Sequence, residues 1–498
     1  MWPFGSNERD ERQQRIAELQ EKLINAKVKA LQARREFLYG SYDAAQTTDR
    51  NIGHWNNADA RSADAANSRQ VRERLRQRAR YEVANNSYAR GIVLTLANYT
   101  VGTGPRLQVL EESDKKASEV EASFEAWSEE VRLGEKLRTM RMARAQDGEA
   151  FARIRDNDTL RHPVQVDLQL IEADQVATPG VALDQEVDGI VLDDYGQPKT
   201  YHVLKHHPGG SKNFAALSKR DKHDIDARSM IHWFRSDRPG QHRGVPDITP
   251  ALPLFAQLRR YTLAVIEAAE TAADLAGIIE SNAPPPDGTD GQVEPLDLVE
   301  IERGMLMTMP EGRKVNQMRA EQPATTYREF KREILTEIAR CLNMPYNIAA
   351  ADSSDYNYAS GRLDHQTYFK SIRVDQTSMG RCILDRILWH WFAEWDGQET
   401  PEVPKHKWFW DGQEHVDPSK EAKAQEKRLA NDTTTLADEY AKQGQDWETK
   451  LRQRAREKKL QRELGLSDAE AAPAAEARIE DMIEDAVEDS VREATVEV

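Results

Sequence analysis

From Tyr327 to Gly361 the chain reads YREFKREILTEIARCLNMPYNIAAADSSDYNYASG. Phe330, Ile334, Leu335, Ile338 and Leu342 recur at three- and four-residue steps, the spacing that gathers apolar side chains on one face of a helix. That helix is expected to stop at Asn343-Met344-Pro345, because proline has no N–H and disfavours helical geometry in the residue before it. Ala351 to Gly361 is then polar, rich in turn formers, and carries Tyr356 and Tyr358. A second long helix ends in Ile383, Leu384, Ile387, Leu388, Trp391, Phe392 and Trp395. Two helices that hold up a small, nearly neutral loop make a device for presenting that loop to something else.

Upstream, Ile248 to Gly277 reads as a long helix with Leu254, Phe255, Leu258, Val265 and Ile266, ending in an alanine stripe that suits close helix packing. Pro284-Pro285-Pro286 closes it, and short strands are expected at 298–301 and 305–309. A module this thin buries little core alone and is expected to complete its packing against a neighbouring chain. Downstream, Lys407-Trp408-Phe409-Trp410 reads as a strand, and Asp417-Pro418 as a cap and first residue of densely charged helices running to Leu466.

The N-terminal part is more mixed. Residues 8–38 form an amphipathic charged helix, and Trp55 is the one large anchor of the polar stretch after it. Arg72, Arg74, Arg76, Arg78 and Arg80 suggest nucleic-acid contact by type, but fit better a helix whose arginines pair with Glu73, Glu82 and other subunits. Val101-Gly102-Thr103-Gly104-Pro105 lacks the third glycine and the helix of a dinucleotide site. Alternation over 150–155 and 164–170, a hairpin over 189–204 and a run at 231–235 predict a small β-region among helices. His202, His206, His207 and His223 lack metal-ligand spacing and read as irregular surface histidines.

Composition narrows the class. The chain has 498 residues, 39% hydrophobic and 31% charged, a surface-rich mixture suited to an elongated subunit. The formal net charge is −16, but Asp468 to Val498 holds eleven acidic residues against Arg478 and Arg492, so the body is only mildly acidic. Tight DNA binding normally demands a basic face. No apolar run reaches the roughly 18 residues of a membrane span, and Met1-Trp2-Pro3-Phe4-Gly5-Ser6 opens no signal peptide. Cys341 and Cys382 read as two buried thiols in helices. There is no phosphate-binding G-x-x-x-x-G-K-[ST], no G-x-S-x-G and no paired cysteine ligands. The carboxylates at Asp193-Asp194 and Asp352/Asp355 sit in turn-like surroundings. The chain is therefore read as a non-enzyme, with no metal and no cofactor.

The motifs themselves carry a resemblance. Arg76-Gln77-Arg78-Ala79-Arg80 with Asn85-Asn86 and the Gly102–Gly104 turn come first, then Gln146-Asp147-Gly148-Glu149 and Ile171-Glu172-Ala173-Asp174. His232-Trp233-Phe234-Arg235, Arg238-Pro239-Gly240-Gln241 and Arg243-Gly244-Val245-Pro246 follow. Met344-Pro345-Tyr346, Asn357-Tyr358-Ala359-Ser360-Gly361-Arg362 and Val416-Asp417-Pro418-Ser419-Lys420-Glu421-Ala422 complete the order. Over roughly Tyr42 to Leu466 the sequence resembles the lambda-type portal proteins of tailed bacteriophages, departing from them at Ala359 and Gly361, where that family more often has serine and alanine.

The resemblance implies a mixed α+β, mainly helical portal fold that assembles into a ring, generally of twelve copies, at one capsid vertex. Residues 1–246 would be N-terminal helices and wing, 247–283 the first stem helix, 284–325 the clip and 326–342 the second stem helix. Residues 343–362 would be the tunnel loop, 363–415 a long wing helix and strand, 416–466 the crown, and 467–498 an acidic tail. Ser353, Ser354, Tyr356, Asn357 and Tyr358 would face double-stranded DNA without sequence specificity. Arg303, Arg313, Lys314 and Arg319 of the clip would meet the terminase large subunit and later a neck or tail-completion protein. The major capsid protein is a further implied partner, no membrane is involved, and the ring would assemble in host cytoplasm before residing in the virion. A weakly charged pore suits a conduit, because each neutralised phosphate adds affinity and would slow a sliding duplex. The alternatives are a metal-dependent nuclease built from scattered carboxylates and histidines, or a structural adaptor that does not close into a ring.

Overall fold

The structure, a computed structural model, describes residues 15, 18–31, 51–110, 114–179, 185–210, 222–273, 277–281, 313–317, 326–354, 357–412, 418–445 and 447–466. The chain divides into two units, residues 1–62 and 63–498. In the first, helix α1 (18–31) leaves Leu19, Leu23, Ile24, Val28 and Leu31 exposed. Trp55 is not an anchor: it is exposed, and among the described residues its ring stacks edge-on with His54.

Among its described residues the second unit is mainly helical with four small antiparallel sheets. Helices α2 (Ala63–Ala66), α3 (Arg69–Asn85) and α4 (Ser87–Val101) lead to strand β1 (Arg106–Val109). Asn86 separates α3 from α4 by capping the latter, its Oδ1 accepting from Tyr88 N at 3.0 Å and Ala89 N at 3.4 Å. Helices α5 (Asp114–Glu130) and α6 (Leu133–Asp147) follow, then β2 (Glu149–Asp156) and β3 (Val166–Ile171). Strands β4 (Glu186–Val187), β5 (Ile190–Leu192), β6 (Pro198–Leu204) and β7 (Lys222–Asp226) make one meander, while β8 (Met230–Phe234) returns to pair with β2. The expected strands and hairpin are present, with a register shift between Val191 and Leu192.

Helix α7 (Leu252–Ala273) is shorter than the expected 248–277, since Gly277–Ser281 forms strand β9, paired with β10 (Arg313–Gln317). The β-branched Ile278-Ile279 pair suits that strand. The strands expected at 298–301 and 305–309 lie outside the described residues. Helices α8 (Thr326–Arg340), α9 (Tyr346–Ala350), α10 (Tyr358–Met379) and α11 (Asp385–Asp396) come next, α10 running into α11 through a π-turn at Gly380–Leu384. Strand β11 (His406–Phe409) pairs with β1 across some 300 residues of sequence. Three helices, α12 (Pro418–Ala430), α13 (Leu436–Lys442) and α14 (Trp447–Glu463), close the described chain. The expected Asp417 cap and the acidic tail fall outside it. No helix among the described residues is long and apolar enough to cross a membrane.

Three apolar centres hold these elements. The largest joins α5, α6 and the β3–β2–β8 sheet to α11, with Phe124, Trp127, Trp233 and Trp391 at its middle. The π-turn directs Ile383 and Leu384 into it. A second centre joins α4, α7, α8, α9 and α10 through Ile92, Phe255, Leu335, Ile338 and Tyr368. The third lies between β2 and the β5–β6–β7 strands.

Between the first and third sits a buried charged centre. Glu149, fully buried, accepts from Arg243 Nη2 at 2.6 Å, Gly244 N at 3.1 Å, His232 Nε2 at 3.1 Å and Arg76 Nη1 at 3.3 Å. Arg243 Nη1 also donates to the Val176 carbonyl at 3.1 Å, and Arg72 pairs with Asp188. Arg80 bridges Asp147 at 2.6 Å and Asp174 at 2.7 Å. Arg72, Arg76 and Arg80 thus pair with carboxylates of the same chain, while Glu73 goes to Arg69 at 2.8 Å and Glu82 to Arg259 at 2.9 Å. Four guanidiniums face four carboxylates, so the centre is near neutrality. Gly148 and Gly244 make the approach possible: a Cβ on Gly244 would lie 2.0 Å from the Gly148 carbonyl oxygen.

Burial alone would push the Glu149 carboxyl up, but Arg243 and His232 hold it well below its usual range. Burial pushes the His232 imidazole down against the pull of Glu149, keeping it neutral. Both depressions act in one direction: the unfolded state binds more protons, so stability is full above about pH 6.5 and falls as the pH drops through the ordinary His and then Glu ranges. Glu149→Gln removes the carboxylate that Arg243 and Arg76 share and leaves them only Asp188 at 3.5 Å and Asp174 at 3.3 Å; it is expected to cost about 3–5 kcal/mol in urea unfolding and to flatten the acid limb of the stability profile.

Candidate functional site

The polar loop stands on a rigid base. Helix α8 buries Leu335, Ile338 and Ala339 against the root of α7, and α10 adds Tyr368 and Ile372 to the same core. The α8 helix ends as the proline requires: Asn343 turns to φ +52°, Met344 N bonds Ala339 O at 3.1 Å, and Pro345 starts α9. Ala351, also left-handed at φ +52°, ends α9. Asp352 then folds the loop on itself, its Oδ1 accepting from Ser354 N at 2.9 Å and from the Ser354 hydroxyl. The Ser354 bonds hold the Asp352 carboxyl below its usual range.

Ser353, Ser354 and Asn357 are exposed, and the Asn357 carbonyl accepts from Gly361 N at 3.0 Å as α10 begins. Tyr356 lies outside the described residues, and Tyr358 is placed by its backbone at the first position of α10. Among its described residues the loop therefore displays hydroxyls and an amide next to the engaged carboxylate of Asp352. Such groups exchange weak hydrogen bonds readily.

Of the other expected positions, Arg313 and Lys314 begin β10, in register with Ser281 and Glu280, while Arg303 and Arg319 lie outside the described residues. Sequence reasoning did not anticipate a second buried ion network, which fixes the loop's two supports. Arg141 and Arg144 of α6 meet Asp247, just before α7, and Asp375 on α10, with Arg141 at 2.9 Å from both carboxylates. Arg235 reaches Asp247 at 3.3 Å, and the Arg144 guanidinium lies 4.5 Å from the centre of the Trp233 ring. The signal was the Arg243-Gly244-Val245-Pro246 run, whose next residue is the shared carboxylate.

The histidines are less irregular than expected. His202 bonds Asp224 at 2.7 Å, and His207 lies 2.9 Å from Glu172 and 3.7 Å from Asp174. Glu172, Asp174 and His207 have the closeness of a cation site, but the Arg80 guanidinium, 2.7 Å from Asp174, already fills that electrostatic role. The cysteines also differ from expectation. Cys382 is exposed, on the solvent side of the helix beside Arg381, and Cys341 is half-buried, its thiol pushed up to about 11 by burial. The Gly102–Gly104 turn is a joint, not a nucleotide loop: Thr103 Oγ1 donates to Asp411 at 2.7 Å, clipping β1 to the strand region after β11.

The motifs that met in these two networks also align as a set. A sequence profile described as phage portal protein, lambda family, matches residues 48–376. The chain belongs to the lambda family of phage portal proteins. It is 25% identical over 411 residues to a probable portal protein of Halomonas phage phiHAP-1, covering 75% of this chain and 78% of that one. Among solved structures it is similar to the neck of an empty gene transfer agent (GTA) particle with C6 symmetry: 14% identity, TM-score 0.45, 74% of this chain and 93% of that one. An HK97-family phage portal protein from Corynebacterium diphtheriae is 12% identical with a TM-score of 0.33, covering 69% of this chain and 96% of that one. Both superpositions are too loose to add to the family assignment.

Because Asp247 answers three arginines and is almost fully buried, Asp247→Asn is expected to destabilise the chain by about 3 kcal/mol in urea unfolding. Asp375→Asn, at a more exposed carboxylate, is expected to cost less. Equal effects would mean that Asp247 is not the hub.

Proposed function

We propose that this portal protein forms a ring of twelve copies at one capsid vertex, through which double-stranded DNA is packaged and later released. The observation that carries this reading is the lambda-family match over residues 48–376, which takes in the whole loop-bearing platform. In this reading the loop of Ser353, Ser354, Tyr356, Asn357 and Tyr358 faces the DNA and resists its slippage without reading its sequence. The exposure of Ser353, Ser354 and Asn357 supports it. Neutral hydroxyl and amide groups bind phosphate weakly, and weak contacts let a duplex slide.

The segment 284–325, with Arg303, Arg313, Lys314 and Arg319, is assigned to docking of the terminase large subunit and then of a neck or tail-completion protein. The major capsid protein surrounds the ring, which assembles in host cytoplasm and resides in the virion. The part is structural: no step of chemistry is assigned to it.

The loop assignment is tested by Tyr356→Ala with Tyr358→Ala in a packaging assay. The expected result is reduced packaging or retention of DNA with rings of normal size. Loss of the rings themselves would reassign the loop to assembly.

A further inference from the structure

Helix α8 presents Glu329, Glu333 and Glu337 to solvent at four-residue steps, a stripe about 12 Å long. The cations between them face elsewhere: Lys331 lies 4.9 Å from the Tyr88 ring, and Arg332 lies 5.0 Å from the Tyr346 ring. Phe330 borders the stripe, 49% exposed, and Arg340 ends it. Helix α10 presents charge of the opposite sign. Arg362, Lys370 and Arg373 are exposed over about 16 Å, with Leu363 at 66% and Val374 at 63% exposure among them. Asp375 turns inward to Arg141 and Arg144, and Asp364 lies across the helix from Arg362 and Arg373 at 3.6 residues per turn. Among the described residues none of these three glutamates and three basic residues has an ion-pair partner, so the two stripes do not pair with each other there.

We propose that the α8 stripe of one copy docks on the α10 stripe of the next, so that a repeated head-to-tail contact closes the ring; this rests on the ring reading above. Complementary patches on different surfaces of one chain make heterologous contacts, which form rings when the rotation closes. A two-fold contact through either stripe would set like charge against like. The similar lengths, and apolar residues on both faces (Phe330 against Leu363 and Val374), favour a protein partner over phosphate for α10. Exposed pairs are individually weak, so the apolar contacts supply adhesion and the charges supply register and choice of neighbour.

The test uses the full chain and native mass, with circular dichroism confirming that each variant is folded. One variant carries E329K, E333K and E337K; the other carries R362E, K370E and R373E. Each alone is expected to shift from ring to monomer. Mixing the two in equal amounts is expected to restore rings with alternating subunits, because each altered face then meets its complement. The chain with all six reversals is expected to close by itself. Wild-type rings accompanied by unaffected rings of both triple variants would overturn the interface while leaving the ring reading intact. Intact rings with weakened DNA passage in the α10 variant alone would also overturn it, reassigning that stripe to DNA. Folded triple variants that stay monomeric on mixing would overturn it too. A wild-type chain that forms no ring under the same conditions would remove the ring reading and this contact together.

Discussion

The bond between Glu149 and Arg243 is the constraint on which the rest of the unit depends. Both side chains are completely buried, and an isolated charge at either position would be expelled from the fold. Their meeting forces the turn after α6 against the loop after β8, which only two glycines allow. It also draws α3 inward, because Arg72, Arg76 and Arg80 share the neighbouring carboxylates. A buried centre of this kind adds little net stability over an apolar one. Its value lies in register: few other arrangements of these segments bring a carboxylate to each guanidinium.

The same logic repeats one layer away and reaches the loop. Asp247 and Asp375 are the roots of α7 and α10, and Arg141 and Arg144 hold both. The loop between α9 and α10 is therefore short, exposed and locally capped by Asp352, yet mounted on elements locked by charge and by the apolar contacts of Leu335, Ile338 and Tyr368. If, as proposed, the loop touches the DNA, such a mounting would let force on it reach the body without unfolding it.

Much of this was legible in the sequence, and the reasons are specific. The apolar steps from Phe330 to Leu342 and the Pro345 stop fixed α8 and its end, and alternation found β2 and β3 because local patterning reports which face is buried. The charged centres were not legible as contacts. Glu149 and Arg243 are 94 residues apart, and an arginine's partner is set by tertiary approach, which spacing along one helix does not encode. That is why Arg72 to Arg80 were assigned to Glu73, Glu82 and other subunits, when Glu73 goes to Arg69 and Glu82 to Arg259. The π-turn at Gly380–Leu384 was hidden as well, since a helical stripe reads the same through one inserted residue. The basic stripe of α10 was masked by composition: a net charge of −16 averages over faces that differ in sign. Among the loop residues, Ser353, Ser354 and Asn357 stand at the exposed turn, where turn chemistry placed them.

The central claim is that this chain works as a closed ring. Negative-stain imaging of the purified full-length protein, with native mass on the same sample, tests it most directly. The account predicts closed rings with a central hole wide enough for a DNA duplex and a mass that is a whole multiple of the 56.7 kDa chain. A compact monomer that persists at high concentration would contradict it.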